Sequence, residues 1–177
     1  MVPEQLERFI VIKFIGALTI LISSIILGFL SSQIPYKRYK NLIKIHSCLN
    51  TLKNEIRYSS DYIDDVLLRV SKISEFDYLF KTTADFNKSI PVSYRWKKAI
   101  ECDAPSLHLA KEDTEALKMF GLELGMTDRE GQLKNIENTM SILKTLQESA
   151  KNDYDNTSKL RKGLGVSVGL FAIILLY

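Results

Sequence analysis

Leu42, Ile45, Leu49, Leu52 and Ile56 follow one another at steps of three and four residues, the spacing that places side chains on one stripe of an α-helix. The stripe predicts a long helix from Pro35, a residue suited to a first helical turn, to Tyr58. Ser59-Ser60-Asp61 interrupts it, with Asp61 placed to cap a second helix that carries Ile63, Val66, Leu67 and Val70. Ser74, with Asp77 three residues on, resembles a capping box opening a third helix with Phe76, Leu79, Phe80 and Phe86. Pro91 predicts the start of a fourth, with Val92, Trp96 and Ile100 on one side. Asp103 to Ala110 reads as a loop through Pro105, and a fifth helix over Lys111–Leu124 buries Leu117, Phe120 and Leu124. Gly125 is suited to the left-handed turn that ends a helix. Thr127 with Glu130 makes a capping box for a long last helix. In it Leu133, Ile136, Met140, Leu143, Gln147, Ala150, Tyr154 and Thr157 again step by three and four, and the stripe turns polar at Gln147. No stretch between residues 35 and 162 alternates as a half-buried strand would.

The two ends are apolar. Phe9 to Leu30 contains 22 residues and one charge, Lys13, the length and character of a transmembrane helix. Gly163 to Tyr177 contains 15 residues without a charge and reads as a shorter second span continuing the last helix. The expected fold is therefore all-α: a cytosolic bundle of about six helices over residues 35–162, flanked by transmembrane segments at 9–30 and 163–177. Lys37, Arg38 and Lys40 follow the first apolar run, and Lys159, Arg161 and Lys162 precede the second. Cations flanking membrane segments favour the cytosolic side, which puts the bundle in the cytosol and both termini opposite.

Composition narrows the function by exclusion. The 177-residue chain carries a net charge of +3, and the middle segment alone has the same value. That balance is not the strongly basic face of a nucleic-acid binder. The two cysteines, Cys48 and Cys102, lack metal-ligand spacing and are expected as buried, reduced thiols. There is no phosphate-binding glycine loop. His46 and His108 are far apart and lack ligand-type partners at helical spacing. His46 alone invites a different reading, a membrane-tethered signalling module for phosphotransfer or ligand sensing. The pairs Asp64-Asp65 and Glu112-Asp113 sit at helix starts, where carboxylates complement the helix dipole. No catalytic residue, metal ligand or cofactor site is expected, and the chain reads as a non-enzyme.

Several stretches together carry a resemblance. "LKNEIRYSS" (Leu52–Ser60) follows the apolar run and its basic helix, a Trp-Lys-Lys segment lies at Trp96–Lys98, and "LGMTDREGQ" (Leu124–Gln132) fits an L-G-x-x-D-x-x-x-Q pattern at Leu124, Gly125, Asp128 and Gln132. In these features, and in its apolar end, the whole chain resembles the stage III sporulation protein AB family. Ala110 departs from it, standing where the family often has a hydroxyl residue before the fifth helix. That family is similar to the F-type platform domains of type II secretion and type IV pilus systems. The resemblance implies a membrane platform in a secretion-like channel between mother cell and forespore. It implies a place in the outer forespore membrane, with the bundle facing the mother-cell cytosol. The implied partners are a secretion-type ATPase of the same operon and other sporulation channel membrane proteins, beside the lipid bilayer. Gly125, Asp128, Arg129 and Gln132 are the candidate partner-binding residues. The sequence leaves the oligomeric state open, a homo-oligomer included.

Overall fold

The computed structural model describes residues 13–16, 18–20, 22–24, 26, 33–59, 61–73, 78–85, 87 and 89–176. The stripe of Leu42, Ile45, Leu49, Leu52 and Ile56 lies buried along α1 (Gln33–Tyr58). After it come α2 (Ile63–Ile73), α3 (Tyr78–Asp85), α4 (Val92–Asp103), α5 (Lys111–Glu123) and α6 (Arg129–Leu176). The fold is all-α, with no strand among the described residues. The chain divides into two compact units, Lys37–Lys151 and a second made of Met1–Tyr36 with Asn152–Tyr177.

In the Lys37–Lys151 unit, α3 packs on α2 and on α4, and α4 packs on α5. The centre of this core is aromatic. The Trp96 ring meets Phe80 and Phe120 edge to face, with centroids 5.3 and 5.1 Å away. Its indole N–H donates to the Leu117 carbonyl at 2.7 Å, so the one polar atom of the ring is satisfied in the apolar interior. Gly121 on α5 makes this fit possible: a Cβ there would lie 2.2 Å from Trp96 Cδ1. On α6, Leu133, Ile136, Met140, Leu143 and Ala150 pack into the same cluster. Gln147 interrupts that stripe because its side-chain N–H donates to the Leu42 carbonyl on α1 at 3.1 Å, and Ala150 beyond it is still buried. In the second unit, the rings of Tyr36 and Tyr154 meet at 5.2 Å.

Several expectations are corrected. Among the described residues no helix is long and apolar enough to cross a membrane, which overturns the two flanking transmembrane helices. In α6 the charge-free run from Gly163 to Leu176 has 14 residues. At 1.5 Å per residue this is about 21 Å, short of a hydrocarbon core of about 30 Å. Any extension backwards takes in Lys162, Arg161 and Lys159. The 9–30 segment lies only in part within the described residues, and there the exposed side chains include Phe14, Ile15 and Leu18. The expected Ser74–Asp77 capping box lies outside the described residues. Asp61 does not cap α2: the helix opens with the Tyr62 carbonyl accepting from Val66 N–H, while Asp61 is held by Ser59 and Arg69. Cys48 is buried as expected, but Cys102 is exposed, because it falls on the outer side of α4.

Candidate functional site

The "LGMTDREGQ" stretch is the corner joining α5 to α6. Gly125 takes φ +75°, the left-handed conformation that turns the chain after α5. A side chain at this position would also strike Val92 Cγ1, at 2.7 Å from its Cβ. The next helix is capped by Asp128 and not by the expected Thr127–Glu130 box. Asp128 Oδ1 accepts from Gly131 N–H at 2.9 Å, and the Asp128 carbonyl takes the first helical bond, from Gln132 N–H. Thr127 instead accepts from the Gln132 side-chain N–H at 2.7 Å.

Two of the last carbonyls of α5 accept side-chain N–H groups from α6, that of Glu123 in addition to Met126 N–H. Asn135 Nδ2 donates to the Phe120 carbonyl at 2.9 Å, and Gln132 Nε2 donates to the Glu123 carbonyl at 2.7 Å. Arg129 reaches the other way, to the Ser59 carbonyl between α1 and α2, at 3.0 Å. So the corner is tied to the α1–α2 loop. That loop has its own ionic frame. Arg69 pairs with Glu55 at 2.9 Å and Asp61 at 2.7 Å, and also donates to the Ser59 hydroxyl. Asp61's carboxyl is held below its ordinary value by hydrogen bonds from Ser59 and Arg69 and by the charge of Arg69.

Between the two corners lies a cleft of about 340 Å³. Ile56, Ile63 and Val66 give it an apolar wall, and Asp61, Thr127, Arg129 and Gln132 its polar groups. A second recess, lined by Asn54, Glu55 and Arg69 among others, adjoins it and shares Ser59 and Asp61. Tyr62 lines the first recess and Tyr58 the second, and both, like Met126 next to Gly125 in the chain, have more than two thirds of their surface exposed. Among the described residues no group of three or more His, Cys, Asp or Glu side chains is arranged to hold a metal ion.

The stage III sporulation protein AB family matches residues 13–177. The chain belongs to that family. The stage III sporulation protein AB of Bacillus subtilis is 27% identical over 169 residues, covering 93% of this chain and 99% of the relative. A solved structure of a stage III sporulation protein AB superposes with a TM-score of 0.60 at 24% identity, covering 67% of this chain and 96% of the other, and supports the fold. The relatives are named as sporulation proteins.

Of the residues singled out in this family member's sequence, Gly125, Asp128, Arg129 and Gln132 are brought together at the cleft corner. The cations are not grouped with them. Lys37, Lys40 and Lys159 are exposed on α1 and α6, and the side chains of Arg161 and Lys162 lie outside the described residues. Arg38 is engaged by Asp113 on α5. His46 is half-buried on α1, and its pKa is held below 6.5 by burial, then by the charges of Lys144 and Lys53. Tyr58, Tyr62 and Arg69 line the recesses but are not among the candidate residues named from the sequence, where Tyr58 figures only as a helix end and within "LKNEIRYSS". The available signal was two tyrosines off every apolar stripe, on either side of a helix break.

Proposed function

We propose that this chain is a non-enzymatic platform of a secretion-like channel complex formed between mother cell and forespore, docking a secretion-type ATPase on its helical bundle. The observation that carries the reading is the corner cleft. Two large side chains, Tyr58 and Tyr62, stand exposed at recesses with both apolar and polar walls, an arrangement that marks protein–protein contact on a protein surface. Membership in a sporulation protein family supplies the setting.

In this reading the protein works at the outer forespore membrane with the bundle on the mother-cell side, beside other channel proteins and in single or multiple copies. Exposed apolar residues of the second unit, Phe14, Phe171 and Ile174, with Lys159 of the same unit, support contact with a lipid surface. The test is co-purification of the full-length chain with the ATPase of its operon, with and without nucleotide. Association in at least one nucleotide state is expected, and no association in any state would remove the reading.

A further inference from the structure

In the Lys37–Lys151 unit α1 and α6 lie side by side and antiparallel: the Leu42 carbonyl meets Gln147, and Lys53 meets Glu137. The outer edge of this seam is charged. His46, Asn50, Lys53 and Arg57 follow on α1 at steps of four, three and four residues. Glu137, Ser141, Lys144, Glu148 and Lys151 follow on α6 at steps of four, three, four and three. His46 and Lys53 are half-buried, and the other seven are exposed. Across the seam, the charges of Lys144 and Lys53 both act on His46. Glu137 stands 3.7 Å from Lys53 and 3.8 Å from Arg57.

Positive charge is in excess here. Lys53, Arg57, Lys144 and Lys151 stand against two carboxylates, Glu137 and Glu148. Of these cations, Lys53 and Arg57 alone are paired among the described residues, and they share one carboxylate. An edge short of carboxylates is complementary to a partner that carries them.

The layout of the charges selects the kind of partner. His46 with Lys144 makes one cationic point, and Lys53 with Arg57 makes another. His46 and Lys53 are separated by about 10 Å along α1 at 1.5 Å per residue, more than one carboxylate or phosphate spans. Glu137 and Glu148 would repel the unbroken negative face of a lipid bilayer or a nucleic-acid backbone. A polypeptide can set carboxylates at two points with neutral residues between them, where Asn50 and Ser141 offer hydrogen bonds.

We propose that the polar edge of the α1–α6 seam seats an acidic segment of a partner polypeptide, with carboxylates of the segment at His46 and Lys144 and at Lys53 and Arg57. None of these residues lines the corner cleft or its neighbouring recess, and the seat does not rest on the docking reading above. His46 couples the seat to pH. An acidic occupant offsets the charges of Lys144 and Lys53, so binding and protonation of the imidazole favour one another.

The test follows the histidine ring resonances of the isotope-labelled full-length chain at low salt, during titration with acetyl-Asp-Asp-Ser-Asp-Asp-amide. Acetyl-Asn-Asn-Ser-Asn-Asn-amide is the control. The aspartate peptide shifts the His46 resonances saturably below about 10 mM, and the asparagine peptide does not. The resonances of His108, the chain's other histidine, stay in place. Saturating peptide raises the His46 pKa, and binding tightens as the pH falls below 6.5, well above the range near 3.9 where aspartates take up protons. Lys53→Gln with Lys144→Gln weakens the aspartate peptide about fivefold or more. Lys72→Gln with Lys97→Gln removes the same charge from exposed residues of α2 and α4 and changes binding less than about twofold. No saturable shift, equal binding of the two peptides, equal effects of the two double variants or an unmoved His46 pKa overturns the proposal. Phosphatidylserine vesicles, set against phosphatidylcholine ones, check the lipid source. A His46 shift with those vesicles and none with the peptide would make the seam a lipid contact and remove the proposal.

Discussion

Arg38 on α1 holds Asp113 on α5 with two parallel hydrogen bonds, Nε to Oδ2 at 2.7 Å and Nη2 to Oδ1 at 2.8 Å. The Asp113 side chain is fully buried, and its Oδ2 also accepts from Ala110 N–H at 2.8 Å. Ala110 has no side-chain acceptor of its own, so Asp113 closes the start of α5 alone. Removing one member of a buried, forked pair leaves the other charged and desolvated. Asp113→Ala is therefore expected to destabilise the Lys37–Lys151 unit by about 3–5 kcal/mol, and Arg38→Met with Asp113→Leu by much less than Asp113→Ala alone. Urea unfolding followed by Trp96, the chain's one tryptophan, measures both. A loss below about 1 kcal/mol for Asp113→Ala would mean that the pair is not buried as described.

Gly121→Ala tests the aromatic centre. The added methyl would sit 2.2 Å from Trp96 Cδ1, and the ring is held by Phe80, Phe120 and the Leu117 carbonyl. Overpacking of this kind costs about 1–3 kcal/mol or more. The same substitution elsewhere in a helix stabilises by about 0.5–1 kcal/mol, so the sign of the change is the readout. A stabilised variant would contradict the packing.

The cap of α6 is assigned to Asp128, and the assignment separates two neighbouring carboxylates. Asp128→Ala is expected to cost about 1 kcal/mol through the lost bond to Gly131 N–H. Glu130→Ala is expected to stay within about 0.5 kcal/mol, as for a surface position. The reverse order, read from the same urea curves, would restore the Thr127–Glu130 capping box.

His46 sets a pH dependence. Burial, then Lys144 and Lys53, hold its folded pKa below the ordinary 6.5. As the pH falls below 6.5 the unfolded chain takes up the proton before the folded one does. Stability that is present above 6.5 is then lost progressively until the folded pKa is reached. His46→Gln is expected to flatten the stability profile over that interval, and an unchanged slope would sink the assignment.

Where the sequence reading succeeded, the information was local. The stripe of Leu42 to Ile56 is buried as its spacing requires, and Gly125 takes the left-handed turn that its lack of a side chain permits. Where it failed, the deciding partner was distant. Arg38 looks like a cation beside an apolar run, and Asp113 like a dipole partner at a helix start. Nothing within a few residues of either announces an ion pair across 75 positions. Arg95 is a parallel case. It lies beside Trp96 in a charged-looking segment, yet it is 2% exposed, paired with Asp64 and bonded to the carbonyls of Ile90 and Thr83.

The sequence by itself determined the all-α class, the apolar face of each long helix and the place of the α5–α6 corner. Helical period and glycine backbone freedom act over one or two turns, so they are written in adjacent residues. Only the tertiary structure decided which carboxylate caps α6, which cations are bound inside the unit, and that the α1–α2 loop faces the corner across a cleft. Those outcomes follow from desolvation: a buried charge or carbonyl must find a partner, and the fold selects which distant group supplies it.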